Sequence, residues 1–173
     1  MKVEDLKEMI KPAYSREALE QMGLEESEVT NMLNYKIFPI DLLIKAEWNY
    51  KTEDPVKSEK LRANIKRNGQ VENILVRPLA TGYYEVVNGN HRLDDMKAIG
   101  KKWVMAYDLG EISLAHAQRI AVETNETSFE SDPTRLAELI AEINVEFEMD
   151  DLLETMPFSG EEIDEMLKID IGQ

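Results

Sequence analysis

The amino-acid sequence predicts an α/β (α+β) fold, a mixed sheet with flanking helices. Short apolar runs bounded by glycine, proline and polar residues predict strands, and they alternate with segments of helical periodicity. Hydrophobic residues are 43% of the 173 residues and charged residues are 32%, which is typical of a folded soluble domain. No apolar run is long enough for a membrane span, and the N-terminus has no apolar signal-peptide core. We therefore expect no membrane partner.

Composition and charge indicate the cellular compartment and the class of ligand to expect. Cysteine is absent, which excludes disulfides and thiolate catalysis and makes a reducing cytoplasm the expected location. The net charge is −15, yet residues 36–110 carry 13 bases and 10 acids, whereas residues 138–173 carry 12 acids and one base. DNA should repel such a chain overall, so we do not expect sequence-specific DNA binding. The central segment alone is biased towards anionic ligands.

The first 35 residues are predicted as a helical N-terminal extension. Pro12 and Gly23 interrupt its apolar pattern, and Ser15 is the expected N-cap of one helix. The elements that follow are, in order, a strand and its exit over 37–44, a polar loop over 49–55, and a helix over 58–68 that ends at Gly69.

The middle of the chain predicts an antiparallel hairpin followed by alternating helices and strands. Strand 74–76 ends at Pro78, and the Thr81-Gly82 turn leads into strand 83–87. The later predicted elements are a helix over 92–99, a strand over 104–107, and helices over 113–124, 132–142, 150–155 and 160–169. Asp132 and Pro133 are expected to open their helix as N-cap and first residue.

The turn Asn88-Gly89-Asn90-His91-Arg92 is the segment most suggestive of a binding site. A strand runs into a glycine turn and then directly into a helix, an order that points backbone N–H groups and the positive helix end outward. Arg92, on the first helical turn, could fork two phosphate oxygens. The alternative is a capped helix whose His91 and Arg92 are solvated surface groups.

The order of elements around this turn resembles the ParB/sulfiredoxin superfamily. Over residues 36–137 it is similar to the ParB N-terminal ("ParB-like nuclease") domain, in which a helix ends in glycine, a strand ends in Arg-Pro, and a glycine turn opens the next helix. Here those features are Gly69, Arg77-Pro78 and Gly89. The resemblance implies a ParB/sulfiredoxin-like mixed sheet over 36–137, a helical extension over 1–35 and an acidic helical tail over 138–173.

Three branches of the superfamily differ at the turn. Sulfiredoxins carry a cysteine where this chain has Asn90, so sulfinic-acid reduction is not expected. ParB proteins carry Gly-Glu-Arg/Lys-Arg and a later Glu-Asn-x-x-Arg. Here Asn125 matches the asparagine, while Thr124 and Ser128 replace the glutamate and the arginine. Free-serine kinases carry Asp-Gly-His-His-Arg and an upstream glutamate, which His91, Arg92 and Glu47 match and Asn88 does not.

The resemblance implies a nucleotide or phosphate site that would take ATP or CTP with Mg²⁺. The residues implied for binding are Asn88, Gly89, Asn90, His91, Arg92, Asn49 and Lys51. His91 and Glu47 are the candidates for catalysis, and Asn125 with Glu123 or Glu126 is the candidate for the metal. For the loop residues Glu47, Asn49 and Lys51, an ordinary surface loop remains the alternative.

Three functions remain open from the sequence. The leading one is a nucleotide-binding regulatory or accessory protein of a phage or mobile element. The second is an enzyme, either a serine-kinase-like phosphotransferase or a nuclease. The third is an interaction protein that docks on a partner through its acidic tail, where apolar residues stand among acids, namely Leu152, Leu153, Met156 and Phe158. For that tail segment the alternative is a short amphipathic helix that packs back on its own domain.

Overall fold

The structure is a computed structural model in which the backbone is described for residues 1–171 and the side chains for residues 1–168. The described helices are α1 Val3–Glu8, α2 Arg16–Gln21, α3 Glu26–Leu33, α4 Pro55–Asn68, α5 Asn90–Ala98, α6 Leu114–Glu126, α7 Pro133–Glu146, α8 Met149–Thr155 and α9 Gly160–Ile171. The described strands are β1 Lys11–Pro12, β2 Tyr35–Pro39, β3 Leu43–Lys45, β4 Ile74–Pro78, β5 Tyr84–Asn88 and β6 Trp103–Asp108. None of the described helices has the length and apolar composition of a bilayer span.

Six strands of the described chain form one mixed sheet in the order β1-β2-β6-β4-β5-β3. The pairs β1–β2, β2–β6 and β4–β5 are antiparallel, whereas β4–β6 and β3–β5 are parallel. The predicted α/β class and the predicted hairpin of β4 and β5 are therefore confirmed. Mixed pairing of this kind follows when hairpins and helical crossovers alternate along the chain.

The apolar run predicted as one strand over 37–44 forms two strands in the structure. A 3-10 turn, Ile40–Leu42, separates β2 from β3, and the amide of Ile40 donates to the carbonyl of Lys102. β2 then pairs with β6 and β3 pairs with β5, so three strands lie between them in the sheet. A run of apolar residues cannot show this division, because the turn itself contributes Ile40 and Leu42, which are as apolar as the strands on either side.

Both faces of the sheet are covered in unit 1. Val87 of β5 packs with Ala117 and Ala121 of α6 on one face. Its neighbour Val86 is fully buried, and alternation along a strand places it on the opposite face. The inward residues of α5, Leu93 among them, are buried as well. Consecutive buried residues of β5 therefore reflect a strand with packing on both sides.

The described chain forms two compact units. Unit 1 contains Met1–Thr52 and Gln70–Glu126, and unit 2 contains Glu53–Gly69 and the chain from Thr127 onward. These limits differ from the predicted boundaries after residues 35 and 137. The second predicted boundary falls inside α7, a continuous helix, and α4 belongs to unit 2 although it lies between β3 and β4 in the chain.

The N-terminal segment, predicted as a separate extension, is part of unit 1. β1 pairs with β2, with Lys11 opposite Ile37 and Pro12 opposite Lys36. An exposed sheet edge can pair with other chains, and a two-residue strand containing proline covers that edge without offering a long new one. The sequence did not predict β1, because two residues beside a proline carry no strand periodicity.

Unit 2 consists of helices α4, α7, α8 and α9. Its buried apolar residues are Ile65, Ala137, Ile140, Leu152 and Ile163. Leu152 of the acidic tail is thus part of the packing, and Leu153, Met156 and Phe158 are half-buried. Of the two predicted alternatives for this segment, packing back on its own domain is the one the structure shows.

Ion pairing accompanies this packing in unit 2. Both terminal nitrogens of Arg67 donate to Asp151, at 2.7 and 2.9 Å. This bidentate pair holds the pKa of Asp151 below its ordinary value, chiefly through the side-chain hydrogen bond. The basic helix α4 and the acidic helix α8 therefore satisfy part of each other's charge within unit 2.

Candidate functional site

The turn between β5 and α5 requires glycine at position 89. Gly89 has φ +107° and ψ 22°, a left-handed conformation that side chains with a Cβ adopt only with strain. A Cβ added there would lie 3.0 Å from Cγ1 of Ile74, the first residue of β4. The chain can therefore pass from Asn88 into the helix at Asn90 only because position 89 has no side chain.

Asn90 is a positioning residue in the structure. It is buried, its Oδ1 accepts from the backbone N–H of Ala46 at 2.9 Å, and its Nδ2 donates to the carbonyl of Val86 at 3.3 Å. Turning this side chain away would leave buried polar groups without hydrogen bonds, which costs free energy. The side chain predicted to bind ligand instead fixes the start of the loop after β3 against the turn.

The N-terminus of α5 has no side-chain cap. Gly89 is the N-cap residue and supplies no side chain, and the first helical hydrogen bond of α5 runs from the amide of Leu93 to the carbonyl of Gly89. The amides that open an α-helix have no intrahelical acceptors, and the helix dipole adds positive potential there. This end of α5 is therefore able to receive an anion.

Arg92 and His91 are half-buried on the first turn of α5. The guanidinium of Arg92 forms an ion pair with the carboxylate of Glu72, which lies in the segment before β4. Only 19% of the Arg92 side chain is exposed, whereas Glu72 is 69% exposed. The structure thus places the predicted anion-binding arginine at the turn and gives it a solvent-facing acidic partner.

Asn88 connects the turn to the end of α6. Its Nδ2 donates to the hydroxyl of Thr124 at 2.9 Å, and that hydroxyl donates to the carbonyl of Ile120 at 2.8 Å. Thr124 stands where the family pattern has a metal-binding glutamate. In this chain the position supplies a neutral hydrogen-bonding contact to the turn.

The loop after β3 also reaches the end of α6. The Tyr50 hydroxyl and the Lys51 ammonium contact the carboxylate of Glu126, at 2.9 and 3.2 Å. These two donors hold the pKa of Glu126 below its ordinary value, the tyrosine hydrogen bond being the larger cause. Asn125 contacts the Tyr50 hydroxyl, and Asn49 Oδ1 accepts from the amide of Lys51 at 3.3 Å.

Trp48 anchors this loop to the sheet. Its indole Nε1 donates to Oε1 of Glu85 at 3.1 Å, and Nε of Arg77 donates to the same oxygen at 2.9 Å. The second contact of Arg77 is the carbonyl of Ile112. Trp48, Arg77 and Glu85 were not predicted as site residues. The available signal was a charged pair on facing strands, Arg77 opposite Glu85 in an antiparallel hairpin.

The residues predicted as metal ligands, Asn125, Glu123 and Glu126, make other contacts at the end of α6. Glu123 pairs with Arg119 one turn earlier on α6, and Glu126 is bound to Tyr50 and Lys51. Within the described residues, no three histidine, aspartate or glutamate side chains are close enough to hold a metal ion. Glu47, the predicted upstream catalytic glutamate, is exposed in the loop after β3.

Taken together, the contacts bring three segments of unit 1 to the turn. The loop 46–51, the segment before β4 and the end of α6 each contact it or one another through Asn90, Arg92, Asn88 and Glu126. The result is an α/β domain with an uncapped helix N-terminus and a basic residue, Arg92, on the first turn of that helix.

A family model described as the ParB N-terminal domain matches residues 20–125, more than half of the chain. The chain therefore belongs to the ParB N-terminal domain family, and the predicted membership is confirmed. The match begins inside the segment 1–35, in agreement with the place of that segment in unit 1. No curated protein sequence matches this chain.

One solved structure shows the same fold. The chain is similar to the C-terminally truncated chromosome-partitioning protein ParB from Caulobacter crescentus complexed with CTP-gamma-S, with 20% identity, a TM-score of 0.68, and coverage of 78% of this chain and 77% of that one. SbnI from Staphylococcus aureus is 29% identical over 45% of this chain and 31% of that one, with a TM-score of 0.38. Sulfiredoxin from Arabidopsis thaliana is 18% identical over 50% and 96%, also at 0.38. The last two similarities are too weak in structure to carry an argument.

Proposed function

We propose that unit 1 binds a nucleotide through its phosphate groups at the turn Asn88–Arg92. The observation that carries the proposal is the uncapped N-terminus of α5 with Arg92 on its first turn. Backbone amides and the helix dipole favour an anion there, and a guanidinium can form two parallel hydrogen bonds to phosphate oxygens. Lys51, in the loop after β3, would contact another phosphate group of the same nucleotide.

CTP is the first nucleotide to test. A ParB of the same fold is complexed with CTP-gamma-S, and this chain belongs to the family of its N-terminal domain. ATP is the second, since the family resemblance allows either. Bound Mg²⁺ would take most of its oxygen ligands from the phosphates and water, because magnesium sites of this kind need only one or two carboxylates. Glu126 is the carboxylate nearest to Lys51 and would be the one to supply a ligand.

We expect this site to bind nucleotide but to hydrolyse it slowly. Phosphoryl transfer requires a positioned nucleophile, metal ligands and stabilisation of the developing charge. At position 124 the side chain is a hydroxyl that is already bonded to Asn88 and Ile120. The proposal is therefore a binding and regulatory function, and we expect hydrolysis of CTP to be slow.

Isothermal titration with CTP, ATP, GTP and UTP, each with and without Mg²⁺, tests the proposal. Arg92→Ala should weaken binding of the preferred nucleotide by about tenfold or more, because hydrogen bonds to charged groups are the strong ones. Arg119→Ala is the matched control, since Arg119 pairs with Glu123 on the exposed face of α6. Equal affinities of the two variants, or no binding by the unmodified protein, would contradict a phosphate site at the turn.

A further inference from the structure

The segment 70–74 holds a carboxylate against the turn. At its start, the side chain of Gln70 is bonded in both directions to the backbone of Met105, at 2.7 and 2.8 Å. At its end, Ile74 begins β4 and packs against Gly89. Between these two anchors Val71, Glu72 and Asn73 are exposed. The backbone at Glu72 is therefore fixed beside the turn from both sides.

Glu72 uses this position to pair with Arg92. A carboxylate presents two oxygens to a guanidinium in the same planar, two-point geometry as two phosphate oxygens. The arginine is mostly covered and the glutamate is mostly in solvent. The acidic partner is thus the replaceable member of the pair, because it remains well hydrated when it leaves.

On this basis, which rests on the proposed nucleotide site, we propose that Glu72 is an internal competitor for the phosphate at Arg92. It occupies the guanidinium in the ligand-free protein, and a phosphate group must displace it. Glu72 is then a residue that sets the affinity of the site without contacting the ligand. Its removal should strengthen binding, whereas removal of an ordinary ligand-contacting residue weakens it.

The size of the effect follows from the exposure of the pair. Ion pairs with one solvated partner are weak, and the strongest of them correspond to about a fivefold change in an equilibrium constant. Glu72→Gln keeps the size and shape of the side chain but removes its charge. We therefore expect Glu72→Gln to tighten CTP binding by about two- to fivefold, with an unchanged melting temperature.

Glu26→Gln is the matched control for this experiment. It removes one negative charge from unit 1 at a glutamate that is equally exposed and also pairs with an arginine, Arg16, but on α3. The double variant Glu72→Gln with Arg92→Ala is the second control. If competition acts through Arg92, this double variant should bind CTP no better than Arg92→Ala alone.

The outcomes separate this inference from the proposed function. Tighter binding by Glu72→Gln alone, lost in the double variant, supports both. Binding that depends on Arg92 but is equal for Glu72→Gln and Glu26→Gln overturns the competitor and leaves the phosphate site intact. A gain that persists without Arg92 overturns the competitor as well, since the charge would then act generally. Absence of CTP binding in the unmodified protein and in Glu72→Gln overturns both.

Discussion

Unit 1 contains one arginine–glutamate pair inside the sheet and another at the turn. Arg77 and Glu85 face each other across β4 and β5, and each side chain is only 11% exposed. Arg92 lies on the first turn of α5, and its partner Glu72, which is 69% exposed, lies in the segment before β4. The two pairs have the same chemistry and belong to the same hairpin and its neighbouring helix.

The two pairs differ in what else their members bind. Glu85 also accepts the indole N–H of Trp48, and Arg77 also donates to the carbonyl of Ile112. The inner pair, Arg77–Glu85, therefore connects two loops to the sheet. Among the described residues, the carboxylate of Glu72 is seen to contact Arg92, and the other contact of Glu72 is its backbone carbonyl, which accepts from Nε2 of Gln70 at 3.1 Å. Burial and additional hydrogen bonds make an ion pair structural, and exposure of one member makes it exchangeable.

Loss of the inner pair should have the largest effect. Glu85→Ala leaves the buried guanidinium of Arg77 without its carboxylate and Trp48 without its acceptor. We expect the free energy of unfolding to fall by about 3 kcal/mol, because breaking a buried pair leaves an uncompensated charge. Urea denaturation followed by circular dichroism measures this change.

The corresponding change at the outer pair, Arg92–Glu72, should have a much smaller effect on stability. Glu72→Ala should change the free energy of unfolding by no more than about 0.5 kcal/mol, as expected for an exposed pair. Similar losses for Glu85→Ala and Glu72→Ala would break the distinction between a structural and an exchangeable pair.

Gly89→Ala should have the next largest effect. The substitution adds a Cβ 3.0 Å from Ile74 and strains a residue at φ +107°, so we expect a loss of about 2–3 kcal/mol. Gly110→Ala is the control, because Gly110 has φ +74° but no atom near its added Cβ, and should cost about 1 kcal/mol. Thermal unfolding of both variants checks the difference. Equal costs would show that the turn can relax and that the outer pair is not held on a rigid support.

The smallest effect concerns a third glutamate, Glu126, which is exposed. Tyr50→Phe removes the hydrogen bond that is the larger cause of its lowered pKa, while the Lys51 ammonium remains. We expect the pKa of Glu126 to rise towards its ordinary value without reaching it. A carboxyl-carbon NMR titration measures this pKa, and Tyr14→Phe, which alters an exposed tyrosine packed on Tyr35, is the control.

The direction of the pH effect follows from the lowered pKa of Glu126. A carboxyl whose pKa is lower in the folded protein stabilises the fold above its ordinary pKa, and this contribution is lost as the pH falls through the folded value. The Tyr50→Phe variant should therefore lose less of its folding stability than the unmodified protein when the pH falls into the acidic range. An unchanged Glu126 titration would mean that the loop after β3 and the end of α6 are not in contact in solution.

Local sequence signals predicted the features that depend on neighbouring residues. Ser15 and Asp132 cap their helices as expected, and Asp132 accepts from the amides of Thr134 and Arg135. The glycine turn opens a helix as predicted, with Gly89 as the N-cap residue of α5. Caps and tight turns are decided within a few residues of the chain, so the sequence contains the information.

Contacts between distant segments could not be predicted in the same way. Asn90 was predicted to bind ligand. In the structure its side chain accepts a hydrogen bond from the amide of Ala46, which the pairing of β3 with β5 brings near. The partner of Arg92 is Glu72, and that pairing depends on the two anchors of the segment 70–74. A polar residue in a sequence shows which bonds it can make and leaves the partner open.

The sequence by itself determined the class of the fold, the family and the glycine turn, because periodicity, composition and local backbone constraints act over short stretches of chain. The tertiary structure alone decided the separation of β2 from β3 and the place of α4 in unit 2. It also decided which arginine–glutamate pair is buried and which faces solvent. These outcomes depend on which segments pack together, and packing buries or exposes residues that are identical in the sequence.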